Sequence, residues 1–457
     1  MAATMAAAMA ATAGQARVKQ TRPFRACLVA LGLVGLMAAC TEREEILTGD
    51  RLDLRAPLDG TAIPVADQPA PVAQPISLPA VSANRDWQQR GGGVAHAALG
   101  ASLAPLWATA IGTGDGRKLK ISAEPVVAGG RVFTLDAAAT VAATGVDGSP
   151  LWSRDLTPPA DAAGEGSGGG IAYAAGRLYV TSGFGAVFAL DGETGAVIWS
   201  QSADAPLSAA PTVSGGVVYV VAENSAAMAI DADTGKVKWQ VQGTASRTGM
   251  FGGAGPVVTD RLVILAFPSG EVRAVLKDSG LQVWLANIGG TRLGRAYNGV
   301  PDIVGDPVIV GQSLVIGNQS GHMAAVDVGS GTRLWDADQG TYGGAVPAGG
   351  SLFLVSDAAE LVRLDATTGA LIWAVPLPEY TTDKVKKLKE VYANYGPVLA
   401  GGRLLVASGD GLVRSFDPAS GALVSTIEIG GAASADPAVA AGVLYIVTSD
   451  GKLRAFR

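Results

Sequence analysis

The sequence predicts an all-β protein, an eight-bladed β-propeller built from four-stranded antiparallel blades and closed by an N-terminal strand in its last blade. The first observation is a phrase that ends in tryptophan and recurs along the chain, clearest at Asp191–Trp199. The second is a short apolar strand pattern that opens eight successive repeats. The third is that the final repeat lacks a strand which an isolated N-terminal segment can supply. Strand-rich units that recur every ~40–50 residues are typical of propellers.

The repeated phrase runs from the end of one strand, through a tight turn, into a second strand that carries the tryptophan. In Asp191–Trp199 the turn is Thr194-Gly195, where glycine supplies the positive φ that a short hairpin needs. Further copies are Asp231–Trp239, Asp327–Trp335 and Asp365–Trp373, with looser ones at Val146–Trp152, Lys277–Trp284 and Asp417–Val424. We expect the tryptophans of these outer strands to pack between neighbouring blades. They are Trp107, Trp152, Trp199, Trp239, Trp284, Trp335 and Trp373.

An apolar strand at the start of each repeat gives the blade count. The eight copies begin near Pro125, Ile171, Pro211, Pro256, Pro307, Pro347, Pro397 and Pro437. After the last copy the chain has only two more strands, Val443–Thr448 and Leu453–Phe456. The segment Leu103–Ala110 carries the tryptophan of an outer strand but has no strands before it. Pairing it with the C-terminal strands closes the ring and removes two open sheet edges.

The N-terminal residues have the features of a lipoprotein signal. A basic stretch that ends at Arg25 precedes the apolar run Ala26–Ala39, which is short for a membrane span. The sequence Leu36–Cys40 resembles a bacterial lipobox, so Cys40 is the predicted lipidation site. An ordinary signal peptide, with this cysteine incidental, is the alternative. By the sorting rule of related lipoproteins, Thr41 after the cysteine favours the outer membrane, with the body facing the periplasm.

Three parts of the chain follow from these features. Residues 1–39 form the signal peptide, residues 40–85 the acylated N-terminus with a flexible tether, and residues 86–457 the propeller. The second half of the tether is rich in Pro, Ala and Val, which favours extended, solvated backbone. An ordered strap that lies along the propeller is the alternative for the same residues.

Composition excludes several classes of function. The net charge of −6 becomes more acidic once the basic N-terminus is set aside, which argues against a nucleic-acid partner. The only cysteines are Cys27 and Cys40, so the body has no disulfide, thiolate metal site or cysteine nucleophile. The chain has only two histidines, His96 and His322, which we interpret as turn residues. This argues against a histidine metal site and against a catalytic triad. We therefore predict no catalytic residue, no metal and no cofactor.

The phrase Asp-x-x-x-Gly-x-x-x-Trp resembles the repeat of propellers that bind pyrroloquinoline quinone (PQQ). Quinoprotein dehydrogenases of that group also have eight blades, so an enzyme is one implied alternative. Their sites carry a vicinal disulfide together with Glu, Asn and Asp ligands for calcium. No cysteine follows Cys40, so that disulfide cannot form here.

The signal, the tether and the propeller together resemble the BamB family, lipoproteins of the outer-membrane β-barrel assembly (BAM) machinery. Glu44–Arg51 and Asp86–Gly92 resemble its alphaproteobacterial branch. The resemblance implies that two adjacent inter-blade loops carry a basic and an acidic residue that dock on the periplasmic POTRA domains of the barrel-forming subunit BamA. The predicted partner-binding residues in these loops are Arg247, Arg292, Arg295, Asp302 and Asp306. Alternatively, these Arg and Asp side chains pair with each other and brace the loops.

The resemblance implies a scaffold that performs no chemistry, binds BamA and other BAM subunits, and can contact unfolded outer-membrane proteins. A scaffold of another envelope complex and a PQQ-dependent dehydrogenase are the alternatives. One helix is predicted, in the lysine-rich insert Tyr380–Tyr392, with Thr382 or Asp383 as its cap. Its lysines are interpreted as a solvated face, with contact to anionic surfaces as the alternative.

Overall fold

The computed structural model describes residues 73–93, 95–162, 164–246, 252–289, 300–382 and 390–457. These ranges contain 32 strands, arranged as eight four-stranded antiparallel sheets. The predicted eight-bladed propeller is thereby confirmed. Within these ranges no helix occurs that is long and apolar enough to cross a membrane.

Each blade uses four strands that are consecutive in the chain, except the last. Blade 1 is β2 (Val126–Ala128), β3 (Arg131–Leu135), β4 (Thr140–Gly145) and β5 (Pro150–Asp155). Blade 2 is β6 (Gly169–Ala174), β7 (Arg177–Ser182), β8 (Ala186–Asp191) and β9 (Val197–Ser202). Blade 3 is β10 (Thr212–Ser214), β11 (Val217–Val221), β12 (Ala226–Asp231) and β13 (Val237–Gln242). Blade 4 is β14 (Val257–Val258), β15 (Leu262–Ala266), β16 (Glu271–Leu276) and β17 (Gln282–Asn287).

The second half of the ring repeats this order. Blade 5 is β18 (Val308–Val310), β19 (Ser313–Gly317), β20 (Met323–Asp327) and β21 (Arg333–Ala337). Blade 6 is β22 (Val346–Ala348), β23 (Ser351–Val355), β24 (Glu360–Asp365) and β25 (Leu371–Pro376). Blade 7 is β26 (Asn394–Ala400), β27 (Arg403–Ser408), β28 (Leu412–Phe416) and β29 (Leu423–Glu428). Blade 8 is β30 (Ala438–Ala440), β31 (Val443–Thr448), β32 (Lys452–Phe456) and, from the N-terminal side, β1 (Pro105–Ala110).

Strand β1 closes the ring as predicted. It pairs antiparallel with β32, with Trp107 opposite Ala455 and Thr109 opposite Leu453. At the end of this pair Ala104 and Arg457 exchange backbone hydrogen bonds of 2.8 and 2.9 Å. Neither terminal strand of the ring therefore presents an open edge to its neighbour within blade 8.

The core lies between the faces of adjacent blades and not inside any one of them. Second strands such as β11 and β31 are buried along their whole length, because both faces of each sheet are covered by neighbouring sheets. Outer strands alternate between exposed and partly buried residues. The first strands of successive blades contact one another and line the central channel.

The outer-strand tryptophans fill sockets between blades. The indole of Trp199 in blade 2 packs on the turn glycine Gly235 of blade 3 and donates a hydrogen bond of 3.0 Å to the Ala232 carbonyl. The same indole-to-glycine contact occurs at six more blade junctions. The pairs are Trp107 with Gly148, Trp152 with Gly195, Trp239 with Gly280, Trp284 with Gly331, Trp335 with Gly369, and Trp373 with Gly421.

The strand directions define two rims of the propeller. Because the four strands of a blade alternate in direction, the turns after its first and third strands lie together on what we call the hairpin rim. The turn after the second strand and the connection from the outer strand to the next blade lie on the opposite rim, the connection rim. The 243–256 connection joins blades 3 and 4, and the 288–307 connection joins blades 4 and 5.

The end of the predicted tether is ordered. Gln74 bonds to the Ala419 carbonyl, and Arg363 donates a hydrogen bond of 2.8 Å to the Gln74 carbonyl. Ile76 and Leu78 pack on the cluster between blades 6 and 7. Residues 73–85 therefore form the strap that the sequence left as an alternative, because their apolar side chains find cover on the hairpin rim. The prediction of a flexible tether is therefore wrong for residues 73–85. Residues 40–72, the rest of the predicted tether, lie outside the described ranges.

Candidate partner-binding site

The segment 84–93 enters the central channel and contacts the first strands of successive blades in turn. Asn84 donates a hydrogen bond of 2.6 Å to the Val439 carbonyl of blade 8. Trp87 and Val127 of blade 1 exchange two backbone hydrogen bonds, of 2.7 and 2.8 Å. The inner edges of these strands face the channel and would otherwise lack backbone partners. We call residues 84–93 the channel segment.

The channel segment continues around the axis to blades 2 and 3. The Tyr173 amide of blade 2 donates a hydrogen bond of 2.8 Å to the Gln88 carbonyl. The Gln89 side chain accepts from the Val213 amide of blade 3 at 3.0 Å. One short segment therefore bonds to blades 8, 1, 2 and 3, and it ties the closure point of the ring to its continuous part.

The segment reverses direction at its tip through three consecutive glycines. Gly91, Gly92 and Gly93 have φ values of +69°, +63° and +65°. A side chain at Gly92 would overlap the Trp87 ring, because an added Cβ would lie 2.3 Å from it. Only glycine combines this left-handed backbone with so close an approach. Arg90, immediately before this turn, contacts Gly253 and Asp306 at the connection-rim end of the channel.

Eight equivalent positions, one in each blade at the connection-rim end of the first strand, form a ring around this tip. Five of these eight positions are glycine or alanine, which leaves room for the channel segment. They are Gly170, Ala210, Gly255, Gly344 and Gly396. The other three positions carry acids, Glu124 in blade 1, Asp306 in blade 5 and Asp436 in blade 8. Together with the tip, all of these ring residues except Gly170 line an open cavity of about 750 Å³.

The acids of this ring are held by donors of the chain itself. Glu124 accepts from the Trp87 indole through one oxygen and from the Gly91 amide, at 2.9 Å, through the other. Asp436 accepts from the Gly396 amide at 2.6 Å. Burial, and next the charge of Asp436, raises the pKa of Glu124 to about 8. Burial likewise raises the pKa of Asp436.

Arg90 joins the two connections that the sequence singled out. Its Nη1 donates to the Gly253 carbonyl at 2.8 Å and lies 3.3 Å from Oδ1 of Asp306. Its Nη2 lies 3.5 Å from the Val304 carbonyl. The same Asp306 oxygen accepts from the Gly255 amide at 2.7 Å. One guanidinium and one carboxylate therefore link the ends of the 243–256 and 288–307 connections.

The predicted partner-binding residues fall into two groups. Asp302 is 2% exposed, and Asp306 lies in the channel ring beside Arg90 and not on the outer surface. Arg247, Arg292 and Arg295 lie outside the described residues. The structure brings Asp302 and Asp306 to the same connection.

Two other predicted features also fall outside the described ranges. Cys40 is one of them, and residues 383–389 of the lysine-rich insert, with the predicted helix, are the other. At the ends of the insert, Tyr380 and Val391 form an antiparallel bridge.

The two histidines have different roles in the fold. His96 is buried, its Nε2 accepts from the Gly402 amide at 2.8 Å, and its Nδ1 therefore donates to the Pro79 carbonyl at 2.8 Å. It clamps the strap to blade 7, so its interpretation as a simple turn residue is wrong. His322 lies in a turn, as predicted, where it contacts Asp336 at 2.9 Å.

The residues of the channel do not fit a calcium-bound quinone of the kind that the dehydrogenase resemblance implies. The carboxylates of Glu124, Asp306 and Asp436 are directed at the chain's own donors, and the Trp87 ring occupies the channel beside them. In the described ranges no group of three or more His, Cys, Asp or Glu side chains is arranged to hold a metal ion. The cysteine pair of the dehydrogenases has no counterpart after Cys40.

Comparison with known proteins identifies relatives of this chain. A family model described as "Outer membrane protein assembly factor BamB" matches residues 137–375 and 365–457, more than half of the chain. Outer membrane protein assembly factor BamB of Yersinia pestis is 25% identical over 358 residues, covering 77% of this chain and 88% of that protein. The Escherichia coli (strain K12) protein of the same name is 25% identical over 353 residues, covering 76% and 86%.

Solved structures share the fold. BamB from Moraxella catarrhalis superposes with a TM-score of 0.63 at 20% identity and covers 78% of this chain and 100% of that one. Quinohemoprotein alcohol dehydrogenase from Comamonas testosteroni has a TM-score of 0.60 at 15% identity, covering 82% and 81%. At these identities both likenesses concern the propeller architecture alone.

Proposed function

The chain belongs to the family of outer membrane protein assembly factor BamB, and we propose that it acts as a non-enzymatic scaffold of the outer-membrane β-barrel assembly complex. The observation that carries this proposal is the family match over most of the propeller. The relatives that match most of this chain are named for assembly of outer membrane proteins, so the BAM subunits are the partners that the family favours. A lipid anchor at Cys40 would hold the body at the outer membrane, on its periplasmic side.

The proposed docking surface is the connection rim at blades 3 to 5. The 243–256 and 288–307 connections are adjacent there, and each is longer than the short hairpin turns of the opposite rim. Repeat proteins place their insertions on the binding face. Arg247 and the arginines at 292 and 295 would supply charge to this surface, which suits recognition of an acidic patch on POTRA domains.

The burial of Asp302 and the contact of Asp306 with Arg90 give these two acids a different part in the proposal. A side chain that is 2% exposed makes no contact with a partner unless the loop opens, so Asp302 would brace the surface from below. The contact of Asp306 with Arg90 is a bracing interaction, but its arginine comes from the channel segment and not from either connection, as the sequence alternative had it. The exposed contacts to a partner would come from the arginines.

A charge reversal tests the docking surface. Arg247→Glu should reduce recovery of the barrel-insertion subunit when the full-length protein is purified from detergent-solubilised membranes. The control is Arg261→Glu, because Arg261 is exposed on the hairpin rim. Equal recovery with both variants would refute the assignment of the rim. Recovery of an unrelated envelope complex by the wild-type protein would favour the other scaffold function.

A further inference from the structure

Arg90, at the tip of the channel segment, contacts backbone carbonyls of two connections at once, those of Gly253 and Val304. The described ends of the two connections, residues 252–256 and 300–307, contain no strand or helix, and fixing loop residues on binding costs free energy. Contacts that fix the ends of both connections before binding remove part of that cost. Arg90 and Asp306 supply such contacts, and their side chains are only 23% and 28% exposed.

We propose that Arg90 is a positioning residue that acts through Asp306 to hold the described ends of the two connections, residues 252–256 and 300–307, in the arrangement that suits docking. The guanidinium bonds to Gly253 at the end of the first connection and approaches Val304 near the end of the second. Asp306 of the second connection bonds to Gly255 of the first. This inference rests on the proposed function for its effect on a partner, but not for its effect on the connections.

The position of the channel segment explains why this role falls to a residue so far away in the sequence. Arg90 is separated from Gly253 by 163 residues and from Val304 by 214. The segment is itself bonded to blades 8, 1, 2 and 3, so Arg90 is presented from the fixed part of the ring. A side chain on either connection could not offer the same fixed reference, because it would move with its loop.

The chain contains a matched control on the opposite rim. Arg177 of blade 2 donates to the Ala232 carbonyl at 2.9 Å and pairs with Asp233 at 2.7 Å. It therefore joins neighbouring blades through a carbonyl and a carboxylate, as Arg90 does, although Arg90 contacts a second carbonyl as well. Its contacts lie at the hairpin rim, away from both connections. Replacing Arg177 tests whether loss of any inter-blade arginine has the same effect.

The experiment compares Arg90→Gln, Asp306→Asn, the double variant and Arg177→Gln in the full-length protein. Amide hydrogen exchange is measured on peptides that cover residues 252–258 and 300–308, and affinity is measured for the detergent-solubilised barrel-insertion subunit. Arg90→Gln should speed exchange in both stretches and weaken affinity about tenfold, a typical effect for a residue that couples to a site without touching the ligand. Arg177→Gln should change neither quantity. The double variant should lose no more affinity than the weaker-binding single variant, because both residues act as one unit.

Several results would overturn the inference. Unchanged exchange in the two stretches for Arg90→Gln shows that Arg90 does not hold the connections. Faster exchange with unchanged affinity shows that their positions do not govern docking. If Arg90→Gln does not fold, Asp306→Asn, which keeps both Arg90 carbonyl contacts, is held to the same two criteria. If the wild-type protein does not bind the subunit, the proposed function fails, and the exchange data alone decide whether Arg90 positions the connections.

Discussion

The tryptophan sockets predict that alanine substitution destabilises the protein much more at one glycine of blade 3 than at another. Gly235 and Gly216 have nearly equal φ values, +73° and +75°. A Cβ added at Gly235 would lie 2.7 Å from Cδ2 of Trp199, whereas one added at Gly216 would meet nothing within 4 Å. Alanine at either site adopts an unfavourable left-handed backbone. Alanine at Gly235 additionally displaces the indole that seals the junction of blades 2 and 3.

Two free-energy costs are involved, that of the left-handed backbone at both sites and that of overpacking the socket at Gly235. The left-handed conformation costs an alanine about 1–2 kcal/mol. Overpacking of a filled socket costs about 1–3 kcal/mol. We therefore expect Gly216→Ala to lower the free energy of unfolding by about 1 kcal/mol and Gly235→Ala by about 3 kcal/mol. Equilibrium urea unfolding, followed by tryptophan fluorescence, measures both.

A third variant, Trp199→Leu, tests whether the indole causes the difference in stability between the two glycine variants. In a Trp199→Leu background the smaller side chain leaves space for the Cβ, so Gly235→Ala should cost no more than Gly216→Ala does in the same background. Equal losses for the two glycine variants in the wild-type background, within about 0.5 kcal/mol, would refute the socket as a source of stability.

Three further predictions concern the closure, the channel and the strap. Trp107→Ala should cost about as much as Trp152→Ala, roughly 2–4 kcal/mol in urea unfolding, and a negligible loss for Trp107 alone would show that β1 does not seal the ring. Because burial raises the pKa of Glu124 from 4.5 to about 8, the folded state holds the extra proton. The resulting stability is present below pH 4.5 and is lost as the pH rises through about 8. The stability of the wild type relative to Glu124→Gln should therefore fall by up to about 4 kcal/mol across that window, and parallel pH profiles would contradict it. His96→Ala removes a buried imidazole together with its hydrogen bonds to the Gly402 amide and the Pro79 carbonyl, and should lower the unfolding free energy by about 2 kcal/mol. His322→Ala should cost less than about 1 kcal/mol, and the reverse order would refute the clamp.

The blade count and the closure were predictable because both depend on local patterns. Seven of the eight outer strands carry a tryptophan near the end of a repeat. The segment Leu103–Ala110 had the pattern of an outer strand without a repeat, and the final repeat lacked an outer strand. The missing tryptophan of blade 7 fits the same logic. Ser425 occupies the tryptophan position there, and no hairpin turn in blade 8 could receive an indole because its paired strands β32 and β1 are not consecutive in the chain.

The channel segment was not predictable in the same way. Residues 84–93 have no strand or helix periodicity, and their partners lie far along the chain, 355 residues away for Asn84 and Val439. Signals for it were nevertheless present. Seven of the eight tryptophans belong to outer strands, which leaves Trp87 without a blade. It is followed by three glycines, and acids interrupt the small residues before the first strands at Glu124, Asp306 and Asp436.

The candidate site was predictable only in part. The family resemblance pointed to two adjacent inter-blade loops that carry Arg and Asp residues, and both loops can be located from the repeat pattern. Burial of Asp302 and the pairing of Asp306 with Arg90 depend on tertiary contacts that no local pattern encodes. Arg90 was for this reason absent from the predicted partner-binding residues.

Site-specific crosslinking in membranes tests the proposed scaffold most directly. A photoreactive residue at the exposed Ala245, in the 243–256 connection, should crosslink to the barrel-insertion subunit, whereas one at Asp233, exposed on the hairpin rim, should not. Crosslinks to that subunit from Asp233 but not from Ala245 would contradict the docking rim. The absence of any crosslink to an outer-membrane assembly component from either position would contradict the proposed function itself.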